Sequence, residues 1–80
     1  MLFRSYGYMV NYDFDEVTKY DTKTDEVVKH IKDIKHPRGI APSPDGKLIY
    51  VTNVVDGLVY VIKSDTDSLT AVIEIGRAHV

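Results

Sequence analysis

HPRGIAPSPDGKLIYVTN, residues His36 to Asn53, carries two runs of strand character around one well-defined turn. In Ser43-Pro44-Asp45-Gly46 the proline in second place presets φ, and the glycine in fourth place suits a type I geometry. Gly39 to Ser43 before it reads as a short strand, and Lys47 to Thr52 after it as a second. Pro42 has no N–H to give a central strand, so the first strand is expected at a sheet edge. Downstream, Leu58 to Ile62 is apolar on both faces, as Lys47 to Thr52 is, and both want cover above and below. Asp56-Gly57 between them is a hairpin signal, with Gly57 free to take φ > 0. Leu69 to Ile75 then alternates with period two, apolar at Leu69, Ala71, Ile73 and Ile75. One unit therefore reads as four antiparallel strands, at about 38–43, 47–52, 57–63 and 69–75.

The upstream third of the chain repeats part of this unit. Tyr8-Met9-Val10-Asn11 aligns with Tyr50-Val51-Thr52-Asn53 at an offset of 42 residues. Without a gap, Val17 then falls on Val59, Tyr20 on Ile62, Thr24-Asp25 on Thr66-Asp67 and Ile31 on Ile73. Identity is low, but turn and apolar positions agree, which is how structural repeats present themselves, and a period near 40 with short strands suggests a propeller blade. Tyr6 to Val10 is the expected strand here, Tyr12 to Glu16 a polar turn, Val17 to Tyr20 a strand and Asp21 to Asp25 a loop. Glu26 to Lys35 is ambiguous, because Val27, Ile31 and Ile34 recur at helical spacing. Alignment with Leu69 to Ile75 makes it a strand. The first unit then lacks only its opening strand.

Four motifs resemble the YVTN-repeat β-propeller family. They are Pro37-Arg38-Gly39-Ile40-Ala41, Ser43-Pro44-Asp45-Gly46, Tyr50-Val51-Thr52-Asn53 and Val59-Tyr60-Val61-Ile62. The match is strong over Pro37 to Ile75 and weaker upstream, where Met9-Val10-Asn11 keeps only the Asn. Pro42 and Lys63 depart from the family pattern, which favours an apolar residue and an Asp there. The resemblance implies an all-β fold of antiparallel four-stranded β-propeller blades, here incomplete: about one and three-quarter blades of a ring of about seven. Residues 6–35 would be a partial blade of three strands and 36–75 a complete one. Family members include exported or cell-surface proteins, lactonase-like enzymes and haem- or quinone-linked oxidoreductases. The resemblance therefore leans towards export and implies, as partners, the remaining blades of a parent protein and an unspecified protein, glycan or small ligand. The expected function is a non-catalytic binding or surface scaffold; the alternative is part of a propeller enzyme. A fold of this kind hosts many chemistries, so the blades do not choose between them.

Composition narrows the classes further. An 80-residue chain buries only about 60% of its unfolded surface, and no cysteine is present to staple it. A net charge of −2 and lysines interleaved with acids argue against nucleic acid, which needs basic side chains gathered on one face. No apolar run approaches the roughly 18 residues of a membrane span. The ends look foreign. Ile75 to Val80 can be back-translated as ATC GGA AGA GCA CAC GTC, whose opposite strand in a shifted frame contains GTG CTC TTC CGA TCT once extended, which encodes Met1 to Ser5 with GTG as start. One oligonucleotide resembling a sequencing adapter would account for both, and residues 1–5 and 76–80 are expected to be non-native. An isolated piece of a repeat array is expected to self-associate.

Few residues offer chemistry. His36 precedes the innermost expected strand, where with Arg38 it would stand at the rim of a channel as a ligand-binding, acid–base or haem-ligating group; the plainer reading is a loop histidine. His30 lies on the expected outer strand, and His79 in the foreign end. Asp13, Asp15 and Glu16 form an acidic cluster without the glycine and further acid of a calcium loop, so a solvated hairpin tip is expected. Asp65 and Asp67 read as turn residues bonding locally. Ser43 lacks a nucleophile elbow and reads as a turn residue. Tyr8, Tyr12, Tyr50 and Tyr60 could stack on bases or sugars, but Tyr8 and Tyr50 are repeat equivalents, which favours packing between blades. No phosphate loop, Cys-x-x-Cys-His or zinc pattern is present. No catalytic residue, metal or cofactor is therefore assigned. Gly39, Pro44, Asp45, Gly46, Tyr50, Asn53 and Gly57 are assigned to the structural motif.

Overall fold

The computed structural model describes residues 6–76 and is all β, apart from one 3₁₀ turn at Tyr12–Phe14. The residues called foreign at 1–5, and most of those at 76–80, lie outside the described residues. Strands β1 (Tyr6–Asn11), β2 (Glu16–Asp21) and β3 (Val27–Lys32) form one antiparallel sheet in sequence order. Strands β4 (Gly39–Pro42), β5 (Leu48–Asn53), β6 (Leu58–Lys63) and β7 (Ser68–Glu74) form a second. We call them sheets A and B. Among the described residues no helix is long and apolar enough to cross a membrane.

Most strand ends shift from the sequence expectation by one residue, and three of the differences have a visible cause. Ser43 falls outside β4, because its side chain is committed to the following turn. The expected turn at Tyr12–Glu16 is tighter: a 3₁₀ turn closes on Asp15 in the left-handed region at φ 51°, and Glu16 already belongs to β2. The strand expected over Glu26 to Lys35 covers only Val27–Lys32. Ile34 leaves it and is fully buried in the connection to β4.

The 42-residue repeat extends to individual bonds. β1 and β2 superpose on β5 and β6 with the same boundaries, and the register slips between Lys19 and Tyr20 in one sheet and between Val61 and Ile62 in the other. The N–H of Asp25 donates to the Asp21 carbonyl at 2.8 Å, as that of Asp67 does to Lys63 at 2.8 Å. Asp25 and Asp67 are both left-handed, at φ 59° and 58°. Asp15 occupies the place of Gly57, and the Ile34 N–H reaches its carbonyl at 3.1 Å as that of Gly76 reaches Gly57 at 3.2 Å. Equivalent turns demand the same φ, which Gly57 meets without a side chain and Asp15 at some cost.

Alternation decides which side chains meet. Tyr8, Val10, Val17 and Ile31 share one face of sheet A. Ile40, Ile49, Val51, Leu58, Tyr60 and Ile62 share one face of sheet B. The two faces pack together, with Ile34 closing the same cluster from the connection. Val17, Ile34, Val51 and Ile62 are fully excluded from water; each full burial of such a side chain is worth about 1.5–3 kcal/mol. β7 lies outside this core, and all seven of its residues are exposed. β4 pairs only with β5, so Pro42 sits on a sheet edge, where its missing donor costs nothing.

The Ser43–Gly46 turn is held by its own side chains and by Ser64, whose Oγ donates to the Gly46 carbonyl at 2.7 Å. Ser43 Oγ donates to Asp45 Oδ1 at 2.6 Å and accepts the Leu48 N–H at 3.0 Å, while Asp45 Oδ1 also takes the Lys47 N–H at 3.0 Å. The Ser43 hydroxyl first, then the Lys47 amide, holds the Asp45 carboxyl below the ordinary aspartate range. Its contribution to stability is therefore present above the unfolded pKa and lost as pH falls through the depressed folded one. Titration of Asp45 followed by NMR should give a midpoint below the ordinary value, and Ser43→Ala should return it most of the way. Gly46 has φ 75° with nothing near the position of a Cβ. Gly46→Ala should therefore cost only backbone strain, about 1–2 kcal/mol, read as a lower urea midpoint at unchanged m-value.

Candidate functional site: the joint between the sheets

Two polar groupings lie along the joint, one at each end of β2. At the first, Asp15 pins the β3–β4 connection. Its carbonyl accepts the Ile34 N–H at 3.1 Å and its Oδ1 accepts the His36 N–H at 3.1 Å. Lys35 N–H donates to Tyr60 Oη at 3.2 Å from the same connection. His36 is thereby held left-handed at φ 46°, its ring tilted against Tyr12 with centroids 5.3 Å apart. The Arg38 guanidinium lies 5.9 Å from the Tyr12 ring centroid, close enough for a cation–π contact. His36 Nδ1 is buried without a hydrogen-bond partner, although the residue as a whole is half exposed.

The sequence placed His36 and Arg38 together, and the structure adds Tyr12 and Asp15. The acidic cluster is corrected accordingly. Asp13 is exposed as a hairpin tip should be, but Asp15 is a structural clamp. Glu16 turns to the open face of sheet A, where its Oε2 lies 2.6 Å from His30 Nδ1. The three carboxylates have separate partners or none in common, and among the described residues no three acids or histidines gather where they could hold a metal ion.

At the second end, Lys19 is buried against sheet B. Its Nζ donates to Asp67 Oδ1 at 2.7 Å and to the Ser64 carbonyl at 2.9 Å. The Tyr6 ring centroid is 4.2 Å away and that of Tyr8 5.8 Å, so the ammonium is enclosed by an anion, a carbonyl and two aromatic faces. Burial by itself pulls its pKa down, but the Asp67 hydrogen bond and the negative charge of Tyr8 and Asp67 outweigh it, and the pKa stands above the ordinary lysine value. Burial raises the Tyr8 phenol, with Lys19 opposing. Asp67 is thus more than the locally bonded turn residue its neighbours suggested. Nothing within its own turn pointed to Lys19, 48 residues away; the usable signal was that Lys19 occupies the place of the apolar Val61.

The remaining motif residues serve the backbone. Asn53 is fully buried: its Nδ2 donates to Asp56 Oδ2 at 2.9 Å and its Oδ1 accepts the Asp56 N–H at 3.0 Å, which closes the β5–β6 turn. Gly39 N–H donates to Thr52 Oγ1 at 3.0 Å, and that hydroxyl leaves no room for a side chain on Gly39. Gly57 is left-handed at φ 68°, and Pro44 and Gly46 complete the exposed turn. Tyr50 is half buried on the face of β5 turned away from sheet A. Two open grooves meet at Ser64 and Asp65. One of about 380 Å³ lies between Tyr6, Tyr8, Pro42 and Ile49. The other, about 620 Å³, runs over the turn between Asp45, Lys47, Lys63 and Asp65, whose charges alternate in sign and so favour no ion of either sign.

No protein-family model matches this chain, and no curated protein does either.

A buried pair broken on one side leaves a charge without compensation. Lys19→Ala and Asp67→Asn should each cost about 3 kcal/mol at neutral pH, whereas Lys19→Met with Asp67→Asn together should recover most of it. Because the Lys19 pKa is raised, its contribution is fully present below the unfolded value of 10.5 and is lost as pH rises through the folded one. Urea unfolding across alkaline pH should show that loss in the parent chain and not in the Lys19→Met variant.

Proposed function

We propose that the chain is a stretch of a YVTN-type β-propeller, a partial blade at 6–35 followed by a complete blade at 36–75, serving as a non-catalytic binding or surface scaffold. The observation that carries this is the repeat: two sheets share strand boundaries, a bulge, left-handed turn residues and turn hydrogen bonds at an offset of 42 residues. Face-to-face packing of successive sheets of one repeat is what a propeller requires. The scaffold reading is supported by how the polar side chains are used. Asp15, Ser43, Asp45, Asn53 and Asp67 all hold turns or the joint, the work of a frame that presents loops. The partners of such a frame are the remaining blades of a ring of about seven and a protein, glycan or small ligand at its rim, with export as the setting.

One observation favours a second reading, in which the parent is a lactonase-like hydrolase or a haem- or quinone-linked oxidoreductase. The buried Nδ1 of His36 lacks a partner at the sheet end where β4 begins, and an unpaired polar atom of this kind is where a ligand group gains most. Sequencing the genomic region that encodes the chain tests both readings. Further units of about 40 residues with Ser-Pro-Asp-Gly turns are expected on at least one side; flanks without them would remove the propeller. Additional histidines and carboxylates at the positions of His36 in those units, or a Cys-x-x-Cys-His upstream, would favour the enzyme over the scaffold.

A further inference from the structure

We infer that Ser64 is a positioning residue that couples the exposed Ser43–Gly46 turn to the Lys19 ammonium, so that a displacement of the turn is felt at the joint between the sheets. The bonds that carry this lie within the chain, and the coupling stands whether or not the chain belongs to a propeller.

Ser64 stands where three parts of the molecule meet. It follows β6 directly, and its N–H donates to the Lys47 carbonyl at 3.0 Å, which carries the β5–β6 ladder one step past Leu48 and Lys63. Its carbonyl faces the joint and accepts the Lys19 ammonium at 2.9 Å. Its hydroxyl faces the β4–β5 turn and donates to the Gly46 carbonyl at 2.7 Å. Both ends of this link are tied down. On the outer side the Gly46 N–H donates to the Ser43 carbonyl at 2.9 Å, and Asp45 holds the Ser43 hydroxyl and the Lys47 N–H. Gly46 therefore moves with its turn. On the inner side the Asp67 N–H donates to the Lys63 carbonyl at 2.8 Å, and Asp67 Oδ1 takes the same ammonium at 2.7 Å. The Ser64 carbonyl and the Asp67 carboxylate thus form one receptor for Lys19.

Two hydrogen bonds through one residue therefore join the turn, which belongs to sheet B, to a side chain of sheet A. Lys19 is buried, so no water replaces a partner that shifts away, and a bond to a charged donor is the kind whose loss costs most. The outer end of the link lies along both open grooves, which meet at Ser64 and Asp65. Coupling between two places is reciprocal, so breaking the ion pair should also be felt in the turn.

NMR of the full chain tests this by reading how fast the Lys19 ammonium protons exchange with water. Ser43→Ala loosens the turn without touching Lys19 and should speed that exchange about fivefold, less than the loss of a whole charge-assisted hydrogen bond. Asp45→Asn, a second perturbation of the same turn, should act in the same direction. Ser64→Ala removes only the hydroxyl arm of the link, and on that background Ser43→Ala should keep less than half of its effect. Ser64→Thr, which retains a hydroxyl, should keep all of it. Asp56→Ala opens the turn at the opposite end of β5 and β6 and should leave Lys19 exchange as it was, which separates coupling from general loosening. In the reverse direction, Asp67→Asn should speed exchange of the Gly46 amide. The coupling is overturned if neither turn variant alters Lys19 exchange, or if half or more of the Ser43→Ala effect survives Ser64→Ala. An Asp56→Ala effect as large as that of Ser43→Ala, or a Gly46 amide indifferent to Asp67→Asn, would overturn it as well.

Discussion

A β-sheet has two faces, and in this chain each sheet covers one of them with the other sheet. From that constraint most of the structure follows. Val17 and Ile31 on one side and Ile49, Val51, Tyr60 and Ile62 on the other form the core because alternation sends them to the same gap. The strands were apolar on both sides because both sides of a repeat unit are meant to be covered, and here only the inner pair is. β7, with every residue exposed, is where the sheets no longer shield each other.

Packing two sheets face to face also traps polar groups, and these settle the joint's geometry. Lys19 carries its charge into the gap and is accepted there only because Asp67, the Ser64 carbonyl and two tyrosine rings surround it. Asp15 does the corresponding work at the opposite end through backbone donors, and the left-handed φ of both Asp15 and His36 is the local strain that this clamp sustains. A purely apolar joint would let one sheet slide along the other. A buried ammonium with one carboxylate partner permits a single register.

How much of this was legible depended on whether the cause was local. The Ser43–Gly46 turn and the Asn53 corner were readable because each side chain bonds within a few residues of itself, so sequence spacing encodes the geometry. The repeat was readable because turn and apolar positions recur together. Glu26 to Lys35 mimicked a helix for a physical reason: the bulge opposite Lys19 and Tyr20 reverses the sense of alternation, so Val27 and Ile31, four apart, lie on opposite faces. Ile34 adds an apolar residue that belongs to no strand. Lys19–Asp67 was hidden because nothing local marks it, and a lysine in a strand otherwise reads as solvent-facing. Around the β3–β4 connection, sequence supplied His36 and Arg38, while Tyr12 and Asp15 arrived only through the fold that brings the β1–β2 turn against that connection.

The same two-face constraint decides what a finite number of such units can do. A heterologous joint uses unlike surfaces, so adding a unit always covers one open face and creates another of the same kind. Two units, like two hundred, end on one sheet A surface and one sheet B surface. Only a rotation between units that brings the last face onto the first removes both. Open edges add to the demand, since β1 and β3 each have one strand side without a partner in sheet A. Stability in this architecture therefore grows with the share of faces that neighbouring units cover.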